Sequence, residues 1–205
     1  MDPGSLSLRR RIAREAANLL YSGSEKEYKQ AKLKAAKTSS SRLLPTNLEV
    51  AIELDRIADE NEGLVRQKRL IQMRTEALRL MCLLTAYHPT LVGSVWRGTI
   101  HHDSDIDIVV YHDQADDVLD TLRQGNIRIT RAEQVAVTKK GNRKVSYHIY
   151  AESSAEEKAE IKVAGSEEAT LRTKCEIYGD QIVGLRIEEL KKLLGQNPTR
   201  RFVPF

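Results

Sequence analysis

The 205-residue sequence contains no long apolar run and only two cysteines. No stretch approaches the roughly 20 apolar residues that a membrane-spanning helix needs, and the N-terminus lacks the apolar core of a signal peptide. Cys82 and Cys175 are far apart and match no metal-ligand spacing. These absences argue against a membrane protein and a cysteine-bound metal. They predict a cytoplasmic protein with two reduced thiols.

Charge is distributed unevenly along the chain, although the net charge is only +4. Residues 1–45 contain ten basic and four acidic side chains, a local charge of +6. Residues 93–130 contain three basic and seven acidic side chains, a local charge of −4. This layout, together with a basic turn at 139–144, suits a polyanionic partner such as RNA. The alternative is that residues 1–45 form a solvated arm that only aids solubility.

Hydrophobic periodicity predicts helices in the first part of the chain and mainly strands afterwards. The expected helices are 7–21, 26–37, 46–62, 64–87, 113–124 and 187–194. The third begins with a capping box of Thr46 and Glu49 and ends at Gly63. The expected strands are 90–96, 105–112, 135–138, 144–152 and 159–164. This order predicts an α+β fold, with a mixed twisted sheet flanked by helices and preceded by a helical N-terminal region.

Asp105 and Asp107 stand two residues apart at the start of a predicted strand. Side chains alternate between the faces of a strand, so both carboxylates point the same way. Adjacent carboxylates repel each other strongly at intermediate dielectric, which indicates a shared proton or a bound divalent cation. Mg²⁺ prefers oxygen ligands and is commonly held by one or two carboxylates together with substrate phosphates. The pair therefore predicts a magnesium site.

Gly93 and Ser94 precede this pair by about ten residues, at the end of another predicted strand. Glycine has no Cβ, so a ligand can approach its backbone closely, and Ser94 adds a hydroxyl donor. Arg97 offers a guanidinium for phosphate oxygens. The loop between the two strands therefore places candidate phosphate-binding groups beside the candidate metal ligands.

These features together resemble the signature of the DNA polymerase β-type nucleotidyltransferase superfamily. The matching segments are Val92-Gly93-Ser94 and Ser104-Asp105-Ile106-Asp107-Ile108-Val109-Val110. The resemblance implies a third carboxylate between apolar residues on a later strand, and Glu160 fits that position. The preceding strand, with His148 and Tyr150, is similar to that of archaeal CCA-adding enzymes and oligoadenylate synthetases. Glu replaces the commoner Asp and no Pro follows it, so Glu152 stays open as the alternative.

The resemblance implies a nucleotidyltransferase fold and a two-metal site. Asp105, Asp107 and Glu160 would be catalytic and would bind two Mg²⁺ ions, for which Mn²⁺ can substitute. Four residues would bind the nucleotide and its phosphates: Gly93, Ser94, Arg97 and Lys162. For Lys162, an ion pair with a neighbouring acid is the equal alternative. The expected domain boundaries are 1–63 for the helical basic region, 64–185 for the nucleotidyltransferase domain and 186–205 for a C-terminal helix and tail.

The implied reaction is transfer of a nucleoside monophosphate from an NTP, such as ATP, to a hydroxyl acceptor with release of pyrophosphate. An RNA end, a protein and a small molecule all stay open as acceptors, and so does the oligomeric state. A second possibility is a non-catalytic nucleotide or nucleic-acid binding module that keeps the fold. A third is an interaction protein whose helices at 46–87 form a dimer surface, although such an apolar stripe is more often internal core.

Overall fold

The computed structural model describes residues 3–139, 142–153, 155–171 and 173–204. Its helices are α1 (Pro3–Tyr21), α2 (Tyr28–Thr38), α3 (Asn47–Leu83), α4 (Gly93–Arg97), α5 (Ala115–Gln124) and α6 (Ile187–Gln196). Its strands are β1 (Thr90–Val92), β2 (Ile106–Tyr111), β3 (Arg128–Lys139), β4 (Asn142–Glu152) and β5 (Lys158–Ala164). Within the predicted basic turn, residues 140 and 141 lie outside the described ranges. This element order confirms the predicted α+β class.

The long helix α3 begins and breaks where the sequence predicts. The Thr46 hydroxyl accepts from the Glu49 backbone N–H, and the Glu49 carboxylate accepts from the Thr46 N–H, which completes the capping box. Gly63 has a φ of 52° and a ψ of −131°, which interrupt the helix. Glycine tolerates this positive φ because it has no Cβ.

The five strands form one mixed sheet in the order β1-β2-β5-β4-β3. Strand β2 runs parallel to β5, whereas the pairs β1–β2, β4–β5 and β3–β4 are antiparallel. The chain therefore leaves β2, forms α5 and the β3–β4 hairpin, and returns as β5 beside β2. This return aligns two strands that are far apart in sequence.

Two clusters of buried side chains stabilise the molecule. The larger cluster joins the second part of α3 to the sheet, α5 and α6. The smaller cluster is rich in alanine and joins α1 and α2 to the first part of α3. The basic N-terminal segment is thus packed against α3, which corrects the interpretation of a solvated arm. The domain boundaries at 63 and 185 remain predictions.

The segment 90–96 differs from its prediction as a single strand. Strand β1 ends at Val92, and Gly93, with a φ of 68°, starts the short helix α4. The side chains of 93–97 therefore follow helical rather than alternating geometry. Among the described residues, no helix has both the length and the apolar character that crossing a membrane requires.

Candidate active site

Three carboxylates converge at one end of the paired strands β2 and β5. Asp105 directly precedes β2, Asp107 is its second residue, and Glu160 lies directly opposite Asp107 in the parallel register. One oxygen from each of the three side chains lies within 4.8 Å of the other two. All three side chains are half-buried. The structure thus brings together the two predicted aspartates and the predicted third carboxylate.

The electrostatics of this cluster disfavour three negative charges. Burial raises the pKa of Asp107 well above its ordinary value, and the nearby Asp105 and Glu160 raise it further. Burial likewise raises the pKa of Asp105, with a further contribution from Glu160. A divalent cation would offset this repulsion, and carboxylate oxygens are the ligands that Mg²⁺ prefers. The donor set therefore fits a magnesium or manganese ion.

Gly93 packs directly against this cluster. A Cβ at position 93 would lie 1.9 Å from Oδ2 of Asp107, which is far inside van der Waals contact. Val92, the residue before it, pairs with Asp107 between β1 and β2. Any side chain at position 93 would displace the Asp107 carboxylate, so close approach and positive φ both require glycine here. Ser94 follows at the start of α4 and is half-buried.

His148 on β4 contacts the third carboxylate. Its Nδ1 is hydrogen-bonded to Oε1 of Glu160, and its Nε2 lies 2.8 Å from the Ser146 hydroxyl. The imidazole thereby restricts the orientation of Glu160. The sequence placed His148 and Tyr150 on the strand before Glu160, but it did not predict this contact.

Arg97 does not face the carboxylates. Its side chain is buried and pairs with Asp180 through two hydrogen bonds of 2.7 and 3.1 Å. The guanidinium also lies over the rings of Trp96 and Tyr178, at 4.5 and 4.3 Å from their centroids. The predicted contact with phosphate would require Arg97 to leave these partners.

A family model for the nucleotidyltransferase domain matches residues 89–172. The matched range begins just before β1 and includes all three clustered carboxylates. Residues 89–172 therefore match a nucleotidyltransferase domain. This match supports the predicted resemblance to the polymerase β-type superfamily.

A solved structure of a cytoplasmic RNA terminal U-transferase is similar to this chain at 15% sequence identity, with a TM-score of 0.33. The similarity covers 57% of this chain but only 34% of that one. The chain thus spans about a third of that transferase. No curated protein matches the sequence.

Lys162 and Glu152 are the two other residues that the sequence predicts for this site. Both lie on the same sheet face as Glu160. Lys162 follows Glu160 by two residues on β5 and lies opposite His148 of β4. Glu152, the alternative third carboxylate, pairs with Arg128 at 2.8 Å and is not part of the cluster. The geometry therefore favours Glu160 over Glu152, although both assignments remain predictions.

Arg69 supports the loop that leads into the carboxylate cluster, a role that sequence reasoning missed. Its guanidinium donates to the backbone carbonyls of His101, His102 and Ser104, at 2.9 to 3.0 Å. It also pairs with Glu157 at 2.8 Å. Arg69 lies on α3, more than thirty residues before this loop, and no local motif marks it.

Proposed function

We propose that this chain is a metal-dependent nucleotidyltransferase that moves a nucleoside monophosphate from an NTP to a hydroxyl acceptor. The observation that supports this proposal most strongly is the convergence of Asp105, Asp107 and Glu160 beside Gly93. A domain that only binds nucleotide has no need to keep three mutually repelling carboxylates. The nucleotidyltransferase family model over residues 89–172 supports the same reaction class.

The three carboxylates are the proposed ligands of two Mg²⁺ ions, with Mn²⁺ as a substitute. When bound, such ions offset developing negative charge and lower the pKa of an attacking hydroxyl. In the proposed reaction, the acceptor oxygen forms a bond to the α-phosphorus while the bond to the pyrophosphate leaving group breaks.

The protein itself would position the reactants. The backbone N–H groups of Gly93 and Ser94, beside the Asp107 carboxylate, would bind a phosphate group, and the Ser94 hydroxyl would donate to a phosphate oxygen. Lys162, on the face of Glu160, would contribute positive charge near the triphosphate. The contact with His148 would hold Glu160 in a fixed orientation. A contribution of Arg97 to phosphate binding would require its guanidinium to leave Asp180 and two aromatic rings.

The acceptor stays open between an RNA end, a protein and a small molecule. The basic N-terminal region is weaker support for RNA than its charge alone implies, because several of its arginines are paired internally. Arg9 pairs with Glu49, and both Arg10 and Arg14 pair with Glu53. A cytoplasmic location remains the expectation that follows from the sequence.

Label transfer tests the proposed reaction. The protein would be incubated with each α-labelled NTP, with Mg²⁺ or Mn²⁺, and with pools of RNA, protein or small hydroxyl compounds. We expect one acceptor pool to become labelled, and we expect Asp107→Asn to abolish that labelling. Asp103→Asn is the matched control, since Asp103 is an adjacent carboxylate that pairs with Lys158 outside the cluster.

A second pair of variants assigns the third carboxylate. Glu160→Gln should abolish labelling, whereas Glu152→Gln should preserve it. Full transfer activity in Asp107→Asn would contradict the proposal. Nucleotide binding that is independent of metal, with no transfer to any pool, would favour the alternative of a non-catalytic binding module.

A further inference from the structure

The guanidinium of Arg69 joins two separate loops. Its two Nη atoms donate to the backbone carbonyls of His101, His102 and Ser104, at 2.9 to 3.0 Å. Its Nε and one Nη donate to the two carboxylate oxygens of Glu157, at 3.2 and 2.8 Å. An arginine side chain carries five N–H donors in a planar fork, and this arrangement provides an acceptor for each of them.

These two loops lead into the two strands that carry the carboxylate cluster. The parallel register of β2 and β5 begins with the pair of Ile106 and Ala159. Ser104 precedes this pair by two residues on one side, and Glu157 precedes it by two residues on the other. Arg69 therefore connects equivalent positions at the entrances of β2 and β5.

The geometry of the carboxylate cluster depends on these strand entrances. Asp105 directly precedes β2, while Asp107 and Glu160 form the second pair of the register. A shift of one residue between the strands would turn a carboxylate to the opposite face of the sheet. A smaller displacement would change the distances between the carboxylate oxygens, which lie within 4.8 Å of one another.

Arg69 is held firmly enough to fix both loops. It lies on α3 next to Leu70, which is buried in the larger core cluster. Its side chain and that of Glu157 are 24% and 9% exposed. The pair of Lys158 and Asp103 joins the same two loops, but its side chains are 74% and 57% exposed, and exposed pairs contribute little. The shielded pair is therefore the one that should fix the spacing of the strands.

We propose that Arg69 is a positioning residue for nucleotidyl transfer, and that its contacts with Glu157 and with residues 101–104 hold the carboxylate cluster in a geometry that binds metal. The inference rests on the proposed function, which makes this cluster the metal site. Arg69 acts on the reaction through the two strand entrances, without touching the nucleotide, the metal or the acceptor.

Binding of Mn²⁺ alone, followed by electron paramagnetic resonance, and steady-state transfer kinetics test this role. We expect Arg69→Gln to weaken Mn²⁺ binding about tenfold and to lower kcat about 10–100-fold, because displaced ligands bind metal less tightly and displaced reactants react more slowly. The KM for NTP should change by less than kcat. Arg69→Lys should restore neither property, because an ammonium group has three donors and cannot reproduce the planar fork.

Arg9→Gln is the matched control. Arg9 likewise donates two hydrogen bonds to a glutamate, Glu49, at 2.7 and 2.8 Å, and its side chain is 27% exposed. This pair joins α1 to α3 and contacts neither strand entrance, so its loss should lower the melting temperature and leave Mn²⁺ affinity and kcat unchanged. If folded Arg69→Gln behaved in the same way, its role would be structural and the proposal would be overturned.

Glu157→Gln provides a milder variant in case Arg69→Gln does not fold. It keeps the size of the side chain and the three carbonyl contacts of Arg69, and it weakens the contact with the second loop. We expect Mn²⁺ affinity and kcat each to fall about threefold, as the weakening of charge-assisted hydrogen bonds predicts. Wild-type values of both in folded Glu157→Gln would overturn the proposal.

The Mn²⁺ measurement also distinguishes this inference from the proposed function. If Arg69→Gln weakens Mn²⁺ binding and Arg9→Gln does not, but no acceptor is ever labelled, the transferase proposal fails and the positioning of the cluster by Arg69 stands. If transfer occurs and folded Arg69→Gln retains the wild-type Mn²⁺ affinity and kcat, the positioning proposal fails and the transferase proposal stands.

Discussion

Glu53 and Asp107 are carboxylates in two different parts of the molecule, and their surroundings are opposite. Glu53 on α3 is only 3% exposed and contacts three arginines, Arg10, Arg14 and Arg56. Asp107 on β2 has two further carboxylates, Asp105 and Glu160, as its neighbours. The protein compensates the first charge internally, so that arrangement is structural. Under the proposed function, bound metal ions would compensate the charges of the second arrangement.

Arg74 is a buried charge that the protein compensates in a third way, with backbone carbonyls. It is fully buried and donates to the backbone carbonyls of Val95, Trp96, Pro198 and Arg200. Burial lowers its pKa to about 10, so the side chain is still charged near neutral pH. Carbonyl dipoles satisfy this charge, and through them Arg74 joins α3 to α4 and to the C-terminal segment.

The largest expected effect is on transfer activity and concerns the cluster of Asp105, Asp107 and Glu160. Asp107→Asn should lower nucleotidyl transfer by roughly 10²–10³-fold or more, because charge stabilisation in the transition state is lost. It should also raise the melting temperature of the metal-free protein at pH 7. The folded-state pKa of Asp107 lies above its ordinary value, so its ionisation destabilises the fold as the pH rises from about 4. Label transfer and calorimetry measure the two effects.

The control for this prediction is Asp103→Asn, whose carboxylate pairs with the exposed Lys158. It should change neither transfer nor the melting temperature by much, because exposed ion pairs contribute at most about 1 kcal/mol. A metal-free Asp107→Asn protein that melts below the wild type would contradict the account of repulsion.

The next effect concerns Arg74. Arg74→Met should lower the free energy of unfolding by about 3 kcal/mol, because it leaves buried carbonyls without donors. Transfer should fall as well, since α4 carries Gly93 and Ser94. Urea denaturation measures the first effect. A loss below about 1 kcal/mol would show that other donors or water replace the guanidinium.

A smaller effect on stability is expected at Glu53, whose charge three arginines compensate. Glu53→Gln should cost about 1–3 kcal/mol of unfolding free energy, because hydrogen bonds to three guanidinium groups are weakened. These arginines remain partly exposed and can be hydrated, which limits the cost. Transfer by the folded protein should be unchanged. If Glu53→Gln lost transfer activity without losing stability, the distinction between a structural Glu53 and a functional Asp107 would be contradicted.

The smallest expected effect is the pH dependence of the unfolding free energy that arises from Glu49. Hydrogen bonds from Arg9 and from the capping box lower its pKa from 4.5 to about 2. The resulting stability is present above about pH 4.5 and is lost as the pH falls towards 2. The side chain is 39% exposed, so solvent screening limits the effect to at most about 1 kcal/mol. Acid unfolding measures this effect. The stability of Glu49→Gln should not show the loss between about pH 4.5 and 2 that Glu49 causes in the wild type.

The sequence predicted the parts of the site that depend on local geometry. Asp105 and Asp107 share a face because of strand alternation, and Thr46, Glu49 and Gly63 control α3 through short-range contacts. The position of Glu160 depended on family resemblance. Its pairing with Asp107 requires β5 to return beside β2 after more than forty residues, and no local pattern encodes that register.

The segment 90–96 shows where the prediction of a single strand failed. The segment 90–96 has the composition of a strand, but the positive φ at Gly93 ends β1 and changes the period from two to 3.6. Arg97 and Trp96 therefore lie within α4 and contact Phe202 from the C-terminal segment. The roles of Arg69 and His148 depend likewise on tertiary contacts between distant elements.

The binding of Mn²⁺ in the presence of NTP tests the central claim most directly, since free Mn²⁺ gives an electron paramagnetic resonance signal that decreases on binding. The account predicts that the wild type and Asp103→Asn bind Mn²⁺ with the same affinity, and that Asp107→Asn and Glu160→Gln bind it far more weakly. Equal Mn²⁺ affinity in all four proteins would contradict the assignment of the carboxylate cluster as the metal site.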